Sequence, residues 1–377
     1  MTRFLHTADW QLGMTRHFLA GEAQARFTAA RIEVIGAIGA LAVAEGCAFV
    51  VVGGDVFESN QIERQVVVRA LDAMKATPGV TFYLLPGNHD PIDAASIFRS
   101  ATFVDNCPGN VVVLDTSTEV SPAPGLTVIG APWPNKRPLT DLVGRAIAEL
   151  PADGTLRVVV GHGATDTLSP DPTDPARIMV PDVEAALAAG TVHYVALGDR
   201  HSTTEVGSTG RIWYAGAPEP TDYGETDPGN VLVVDLTDES IAVERRRVGT
   251  WRFVRERFDL AGAPDCDRVA QFLDGVSDKQ RTIVKLALVG QLSLAEMARL
   301  EAALDLSSEL FAALERWERR SDLVALPDDG DFEGLGLSGF AADALHDLRA
   351  MGAGTGDEAL VARDAMGLLY RLAGVGS

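Results

Sequence analysis

The chain has 377 residues, long for one domain and sized for a large domain with one or two smaller ones. Its apolar content of 46% is that of an ordinary folded, soluble protein, and no apolar run reaches the length of a membrane span: the longest candidate, Val34 to Val52, is interrupted by Glu45 and several glycines. The formal net charge of −21 excludes broad, nonspecific wrapping of nucleic acid, but it leaves room for a local cation site that binds phosphate.

Arg3 to Ala8 reads as a short strand that leaves into Asp9-Trp10-Gln11-Leu12-Gly13. The spacing of Ile32, Val34, Ile35, Ile38 and Leu41 predicts a helix over Ala23 to Glu45. Phe49 to Val52 is a buried strand ending in Gly53-Gly54-Asp55-Val56-Phe57-Glu58, and Gln61 to Lys75 is a second helix. Val80 to Leu84 is a run of strand formers that stops at Leu85-Pro86-Gly87-Asn88-His89-Asp90. Val111 to Leu114 and Leu126 to Ile129 are further strands, and Leu139 to Leu150 is helical. Arg157 to Val160 is a strand ending in Gly161-His162-Gly163. Val180 to Ala189 is a helix, and Val192 to Leu197 is a strand ending in Gly198-Asp199-Arg200-His201. Such alternation describes an α/β fold, a sheet covered on both faces by helices. Two late strands, Asn230 to Asp235 and Ile241 to Arg247, complete a second sheet.

After about Arg257 the pattern changes to a smaller α+β unit. It has helices over Asp265 to Leu273, Ser293 to Leu304 and Ser308 to Arg319, and a strand over Thr282 to Val289. Asp328 to Gly336 is acidic and Gly-rich, a linker, and amphipathic helices near Phe340 to Met351 and Glu358 to Leu372 follow. The expected domains are therefore 1–257, a smaller unit over 258–327, and 328–377 as linker and tail helices. The start of the chain has no charged-then-apolar leader pattern, and Cys47, Cys107 and Cys266 are an odd, widely spaced set. Both features place the protein in a reducing compartment, the cytoplasm.

Ligands of open α/β sheets bind at the carboxyl ends of the strands. Here those ends carry Asp9 and Gln11, Asp55, Asn88 and His89, His162, and Asp199 and His201. All but His89 sort into two metal shells, and a shared carboxylate in such sites holds two cations roughly 3.5–4 Å apart. Oxygen and imidazole donors suit manganese, iron or magnesium. One Gly-His or Asp-x-Gln is more often a cap or turn, so the signal is the ordered recurrence at successive strand ends.

The segments Asp9-x-Gln11, Gly54-Asp55, Gly87-Asn88-His89-Asp90, Gly161-His162 and Gly198-Asp199-x-His201 resemble those of the calcineurin-like metallophosphoesterases. Within that superfamily, His6-Thr7-Ala8-Asp9-Trp10-Gln11-Leu12-Gly13 and Trp213-Tyr214-Ala215-Gly216-Ala217-Pro218-Glu219 are similar to the SbcD-type DNA repair nucleases. The resemblance implies a two-sheet sandwich flanked by helices, a smaller α+β capping domain and C-terminal helices. It implies a metal-dependent phosphodiesterase using two divalent ions, most simply manganese. Asp9, Gln11, Asp55 and His201 would hold the first ion, and Asp55, Asn88, His162 and Asp199 the second. His89 would bind no metal and assist departure of the leaving oxygen, as an imidazole can near neutral pH. DNA and an SbcC-like coiled-coil ATPase are the implied partners, with no membrane; the oligomeric state stays open, a homodimer included.

Three positions depart from the family. Gln11 and Asp199 stand where His is usual, and Ala217 where Ser is frequent. Both ligand replacements are still oxygen donors, although a drifted site that binds metal poorly is the competing reading. Protein phosphatases of the superfamily carry an Arg shortly after the bridging Asp, whereas Val56-Phe57-Glu58-Ser59-Asn60 has none. A nuclease, a small-molecule or cyclic-nucleotide phosphodiesterase, and a metal-poor scaffold subunit all remain open, since fold does not fix substrate.

Other residues have plainer expectations. His6 should pack or hydrogen-bond under the site; His17 reads as cleft or surface; His193 and His346 read as structural. Glu58 either orients a ligand or starts a helix, and Arg200 should point to the opposite side from its neighbours. The cluster Arg245-Arg246-Arg247 with Arg252, Arg255 and Arg257 reads either as a DNA or partner contact or as a solvated strand face balanced by Glu244 and Glu256.

Overall fold

Period-two alternation along the strands feeds two different cores at once. Phe49 and Val51 face one way and Val50 and Val52 the other; Val158 and Val160 oppose Val159; Tyr194 and Ala196 oppose Val195 and Leu197. Strands buried on both faces read as continuous apolar runs.

The structure is a computed structural model. It describes residues 1–326 and 338–352 without a break, and scattered residues from there to 369. The predicted linker and most of the last predicted helix lie outside the described residues. The chain divides into two compact units, Met1–Trp251 and Arg252–Ser377.

In the first unit, β1 (Thr2–Thr7) leads to α1 (Glu22–Ala44), β2 (Phe49–Val52), α2 (Arg64–Lys75) and β3 (Thr81–Leu84). A short α3 (Ala101–Asn106) precedes β4 (Val111–Val113), and β5 (Val120–Ala123) turns back along β6 (Leu126–Gly130). Then come α4 (Leu142–Ile147), β7 (Leu156–His162), α5 (Val180–Ala188) and β8 (Tyr194–Gly198). Two small strands, β9 (Thr204–Val206) and β10 (Ile212–Tyr214), and the hairpin of β11 (Asn230–Leu236) and β12 (Ile241–Arg247) finish the unit.

These strands make two six-stranded sheets, ordered β12-β11-β1-β2-β3-β4 and β5-β6-β7-β8-β10-β9. Phe4, Phe49, Val51, Val158, Val160, Tyr194 and Val234 fill the space between them. The outer face of the first sheet packs on α1, α2 and α3, and that of the second on α4 and α5. The layering is therefore helix, sheet, sheet, helix, the sandwich the family resemblance implies. Strand–helix alternation alone pointed to one sheet with helices on both faces. At the site edge the two sheets touch through Gly53 and Gly198, where a Cβ on Gly198 would run into the Gly53 carbonyl.

Several local expectations change. The 230–247 hairpin extends the first sheet, not the second: β11 pairs antiparallel with β1, Leu5 opposite Val233, and its apolar residues close that sheet's open edge. The helices α2 and α4 are shorter than their periodicity predicts. By length and composition α1 is apolar enough to cross a membrane, contrary to the sequence expectation; its Phe27, Val34, Ile35, Ile38 and Ala42 are buried.

The second unit is β13 (Arg252–Leu260), α6 (Ala263–Gly275), β14 (Thr282–Ser293), α7 (Leu294–Ser308), β15 (Ala313–Arg316), β16 (Asp322–Leu326) and α8 (Phe340–Gly352). Its core gathers Leu260, Val269, Leu273, Leu286, Leu300 and Phe311. A capping box starts α7: Glu296 N donates to Ser293 Oγ (3.2 Å), and Ser293 N donates to the Glu296 carboxylate (2.9 Å). The predicted helix over Ser308 to Arg319 does not form. Ala313–Arg316 pairs instead with Ile283–Leu286 of β14, whose backbone groups otherwise lack partners on that edge.

Candidate metal centre

Every candidate side chain sits where a parallel strand ends. Asp9 and Gln11 follow β1, Asp55 follows β2, Asn88 and His89 follow β3, His162 ends β7, and Asp199 and His201 follow β8. The loops after β1 and β2 are zipped together by Asp9 N to Gly54 O (3.1 Å), Gln11 N to Asp55 O (2.9 Å) and Leu12 N to Val56 O (2.9 Å). To aim inward, Asp9, Gln11 and Asp55 adopt left-handed backbone (φ +52°, +44° and +51°), and Asp199 lies at φ +101°. Such conformations cost roughly 1–3 kcal/mol each outside glycine, and they persist where packing imposes them. Gly54, at φ +94°, lies so close under the His162 ring that a Cβ would collide with it, which is why glycine precedes Asp55.

Each imidazole is pinned through Nδ1. His162 Nδ1–H donates to the Gly53 carbonyl (2.8 Å), so Nε2 faces Asn88 Oδ1 at 2.7 Å, Asp55 Oδ1 at 3.4 Å and Asp199 Oδ1 at 3.8 Å. His201 Nδ1 lies 3.0 Å from Glu225 Oε1 and 2.7 Å from Thr221 Oγ1, leaving its Nε2 against Gln11 Nε2 at 3.1 Å. Fixing the tautomer through the remote nitrogen is how proteins present an imidazole lone pair to a cation. The ligand atoms of Asp9, Asp55 and His162 all lie within 4.8 Å of one another.

The donor set fits a divalent ion. Asn88 Oδ1, His162 Nε2 once a cation displaces its proton, and Asp55 Oδ1 are acceptors facing one another, and adjacent ligands on an octahedral ion with bonds of about 2.1 Å lie roughly 3 Å apart. Turned the other way, the Asn88 amide nitrogen would donate to His162 Nε2 (2.7 Å) and to Asp55 Oδ1 (3.1 Å); a cation between them favours the oxygen-inward orientation. Electrostatics agree. Burial pushes the Asp9 carboxyl up to about 6, with His201 and His162 pulling it back and Asp55 pushing further. Burial lowers the His162 imidazole, yet Asp55, Asp199 and Asp9 outweigh it and lift it to about 9. Crowded carboxylates at low dielectric thus recruit positive charge, which a metal ion also supplies.

His89 stands apart from this cluster. Its Nδ1–H donates to the Glu58 carbonyl (2.9 Å) and its backbone N–H to Asp55 Oδ1 (3.0 Å), leaving Nε2 3.9 Å from Asp55 Oδ2. Glu58 therefore meets His89 through its carbonyl, with its carboxylate Oε1 4.0 Å from the same Nδ1, and no helix starts there.

Sequence reasoning missed the braces behind the site. Buried Asp90 accepts from Gly87 N (2.8 Å) and Phe57 N (2.9 Å), tying the β3 loop to the β2 loop. Replacing Asp90 with alanine leaves two buried N–H groups without partners, which should cost on the order of 2–4 kcal/mol. A denaturant midpoint unchanged from wild type would show that the brace is unimportant. Glu225 lies 24 residues beyond His201, and no local pattern announces it. Buried Arg31 donates to the carbonyls of Trp10 (3.0 Å) and Pro220 (2.8 Å), and Trp133 Nε1 donates to the His162 carbonyl (2.8 Å).

The remaining residues sort plainly. His6 is buried, with Nδ1 2.9 Å from Tyr194 Oη, under the site as expected. His17 is on the surface, His193 Nδ1 accepts from Arg157 N (3.2 Å), and His346 is exposed on α8. Arg200, expected on the far side, borders the same 370 Å³ cavity as Asp199 and His201. The basic cluster divides between β12 and β13, and half of it pairs with carboxylates: Arg245 with Asp227 (3.3 Å), Arg246 with Glu45 (3.2 Å) and Arg257 with Asp259 (2.8 Å). Exposed pairs of this kind are weak, and they leave Arg247, Arg252 and Arg255 without a carboxylate partner in these contacts.

Comparison with known proteins covers the same region. A DNA double-strand break repair protein Mre11 from Haloferax volcanii is 24% identical over 337 residues, 88% of this chain and 70% of that protein. A subunit of the SbcCD nuclease from Rhodobacter capsulatus is 32% identical over 93 residues, 24% of this chain and 22% of that protein. Among solved structures, a protein of Thermus thermophilus superposes with a TM-score of 0.41 at 10% identity, covering 66% of this chain and 99% of that one. A dimetal phosphatase from Danio rerio gives 0.40 at 14% identity, covering 66% and 96%. Residues 2–219, more than half of the chain and the stretch that carries each of these strand-end side chains, match the calcineurin-like phosphoesterase family as one block. The chain therefore belongs to the calcineurin-like metallophosphoesterases, hydrolases of phosphate esters that depend on bound metal.

Proposed function

We propose that this phosphoesterase is a nuclease that hydrolyses DNA phosphodiester bonds at a two-cation site, with manganese as the working metal. The observation that supports it best is the gathering of Asp9, Asp55, Asn88, His162, Asp199 and His201 on one edge, with His89 beside them and outside the cluster. Asp9, Gln11, Asp55 and His201 would hold one ion, and Asp55, Asn88, His162 and Asp199 the other. When bound, the ions supply charge neutralisation of the phosphate and an acidified water. The protein's own part is to fix positions. Gly53 and Glu225 hold the two imidazoles, Asp90 holds the Asn88 loop, and Glu58 turns His89 so that Nε2 can give a proton to the leaving oxygen. Oxygen-rich donors favour manganese over zinc. The names of the two relatives, a double-strand break repair protein and a nuclease component, favour DNA over cyclic nucleotides, and a DNA substrate and free cysteines suit the cytoplasm.

The test is cleavage of end-labelled single- and double-stranded DNA with manganese and with chelator, beside a cyclic nucleotide. Metal-dependent release of nucleotides from DNA is expected. Hydrolysis of the cyclic nucleotide alone would replace this reading.

Residues 258–327 would form a capping domain and 328–377 a linker with helices that hold an SbcC-like coiled-coil ATPase. In α8 the stripe of Phe340, Ala344, Leu345 and Leu348 ends on Phe340, 87% exposed, an apolar anchor of the kind a partner groove or coil takes up. Truncation after Asp331 should leave manganese-dependent cleavage of short single-stranded DNA unchanged and abolish co-purification with the ATPase. Retained binding by the truncated chain would refute the tail as the docking element.

A further inference from the structure

Asp199 and His201 border a cavity of 370 Å³, and Arg200 between them borders it too. Arg200 is the only lysine or arginine among the lining residues, and Ala164, Leu168 and Pro170 add apolar surface. The guanidinium is anchored at one nitrogen. Its Nε donates to Thr204 Oγ1 (2.9 Å), and among the described residues Nη1 and Nη2 meet no acceptor and form no ion pair. In a chain with 53 acidic against 32 basic residues, an exposed arginine readily finds a carboxylate; this one does not. Two other arginines on this edge are committed to main-chain carbonyls, Arg16 to Thr221 O (3.0 Å) and Arg31 to Trp10 O (3.0 Å) and Pro220 O (2.8 Å). The acids on the cavity's border are engaged as well. Glu225 Oε1 lies 3.0 Å from His201 Nδ1, its Oε2 accepts from Thr221 N (2.9 Å), and Asp199 Oδ1 lies 3.8 Å from His162 Nε2. The cavity therefore has one uncommitted cation on its border, next to the candidate ligands.

We propose that Arg200 and this cavity bind the phosphate next to the scissile one in a nucleotide chain, so that the centre selects a polynucleotide over a lone phosphate ester. This selection rests on the nuclease reading, because a chain of phosphodiesters presents a second phosphate at a set distance from the first. With Nε fixed, the two terminal nitrogens form a fork that matches two phosphate oxygens, where an ammonium would act as a point charge. The cavity is near the low end of ligand-pocket volumes, about 300–1,000 Å³, so it suits the one nucleoside that joins two phosphates and not a length of strand. Asp199 gives such a cation a purpose. As a carboxylate where an imidazole is usual, it adds negative charge beside the path of the strand, and the neighbouring guanidinium offsets it.

The test measures binding, with no turnover needed. Full-length chain loaded with manganese is titrated by calorimetry with thymidine 3′,5′-bisphosphate and, separately, with the 5′- and 3′-monophosphates. Wild type should bind the bisphosphate about 10–100-fold tighter than either monophosphate, the range for a charge-assisted, forked hydrogen bond. Arg200→Ala should keep the manganese content of wild type and reduce that preference to about twofold or less. Thr204→Val leaves the guanidinium in place and removes its anchor, so it should lower the preference by about 2–10-fold. Equal preference in wild type and Arg200→Ala, or a wild type that binds all three nucleotides alike, would overturn the subsite. Loss of manganese from Arg200→Ala would overturn it too, because the residue would then support the centre itself. Cleavage of end-labelled DNA judges the nuclease reading separately. Preference without DNA cleavage would keep the phosphate subsite and remove the nuclease; cleavage without preference would do the reverse.

Discussion

Replacing Asp55 with alanine should abolish divalent-metal binding and phosphodiester hydrolysis together. On the proposed assignment Asp55 is the one carboxylate both positions would share: its Oδ1 lies 3.4 Å from His162 Nε2 and accepts the His89 N–H at 3.0 Å. Losing it removes a ligand from each ion and the negative charge between them, so turnover should fall by about 10³-fold or more. Alanine at φ +51° is also strained, which would confuse loss of metal with loss of local structure. Asp55→Asn separates the two effects, since asparagine tolerates left-handed backbone and still offers an acceptor to His89 N. The measurements are metal content by elemental analysis and the cleavage rate under manganese saturation. An Asp55→Asn protein that keeps two ions and full activity would remove Asp55 from the centre.

The second large effect is of a different kind. His89→Ala should keep both metals and lose about 10²–10⁴-fold in turnover, the range for removing a positioned general acid. What ties His89 to Asp55 is its main-chain N–H, which alanine retains; the side chain contacts the Glu58 carbonyl instead. The variant therefore deletes Nε2 without unmaking the Asp55 contact. A leaving group that needs no protonation, such as a nitrophenolate, should recover most of the lost rate. If metal content drops in His89→Ala, the residue is a ligand and its assignment as proton donor fails.

Much of the site was legible in the chain because of one geometrical fact: parallel strands send their C-terminal loops to the same edge. Once Phe49 to Val52 and the other β-branched runs are read as parallel strands, Asp9, Gln11, Asp55, Asn88, His89, His162, Asp199 and His201 must share that edge, whatever the layers behind them. The sequence left other matters undetermined. A run such as Val158-Val159-Val160 is buried on both faces whether its neighbours are helices or a second sheet, so only the packed structure decides that sheet faces sheet. The 230–247 hairpin could have extended either sheet, and it joins the first because β11 pairs with β1 across more than two hundred residues of sequence. The helical spacing within Ser308 to Arg319 yielded to the open edge of β14, where pairing satisfies backbone groups that a helix would have left bare. Glu225 and Asp90 acquire their roles only through partners brought by folding, His201 for one and Phe57 for the other. Local residue patterns fix what each strand end can bind; long-range backbone pairing and close packing, which depend on the whole chain closing at once, determine what stands behind it.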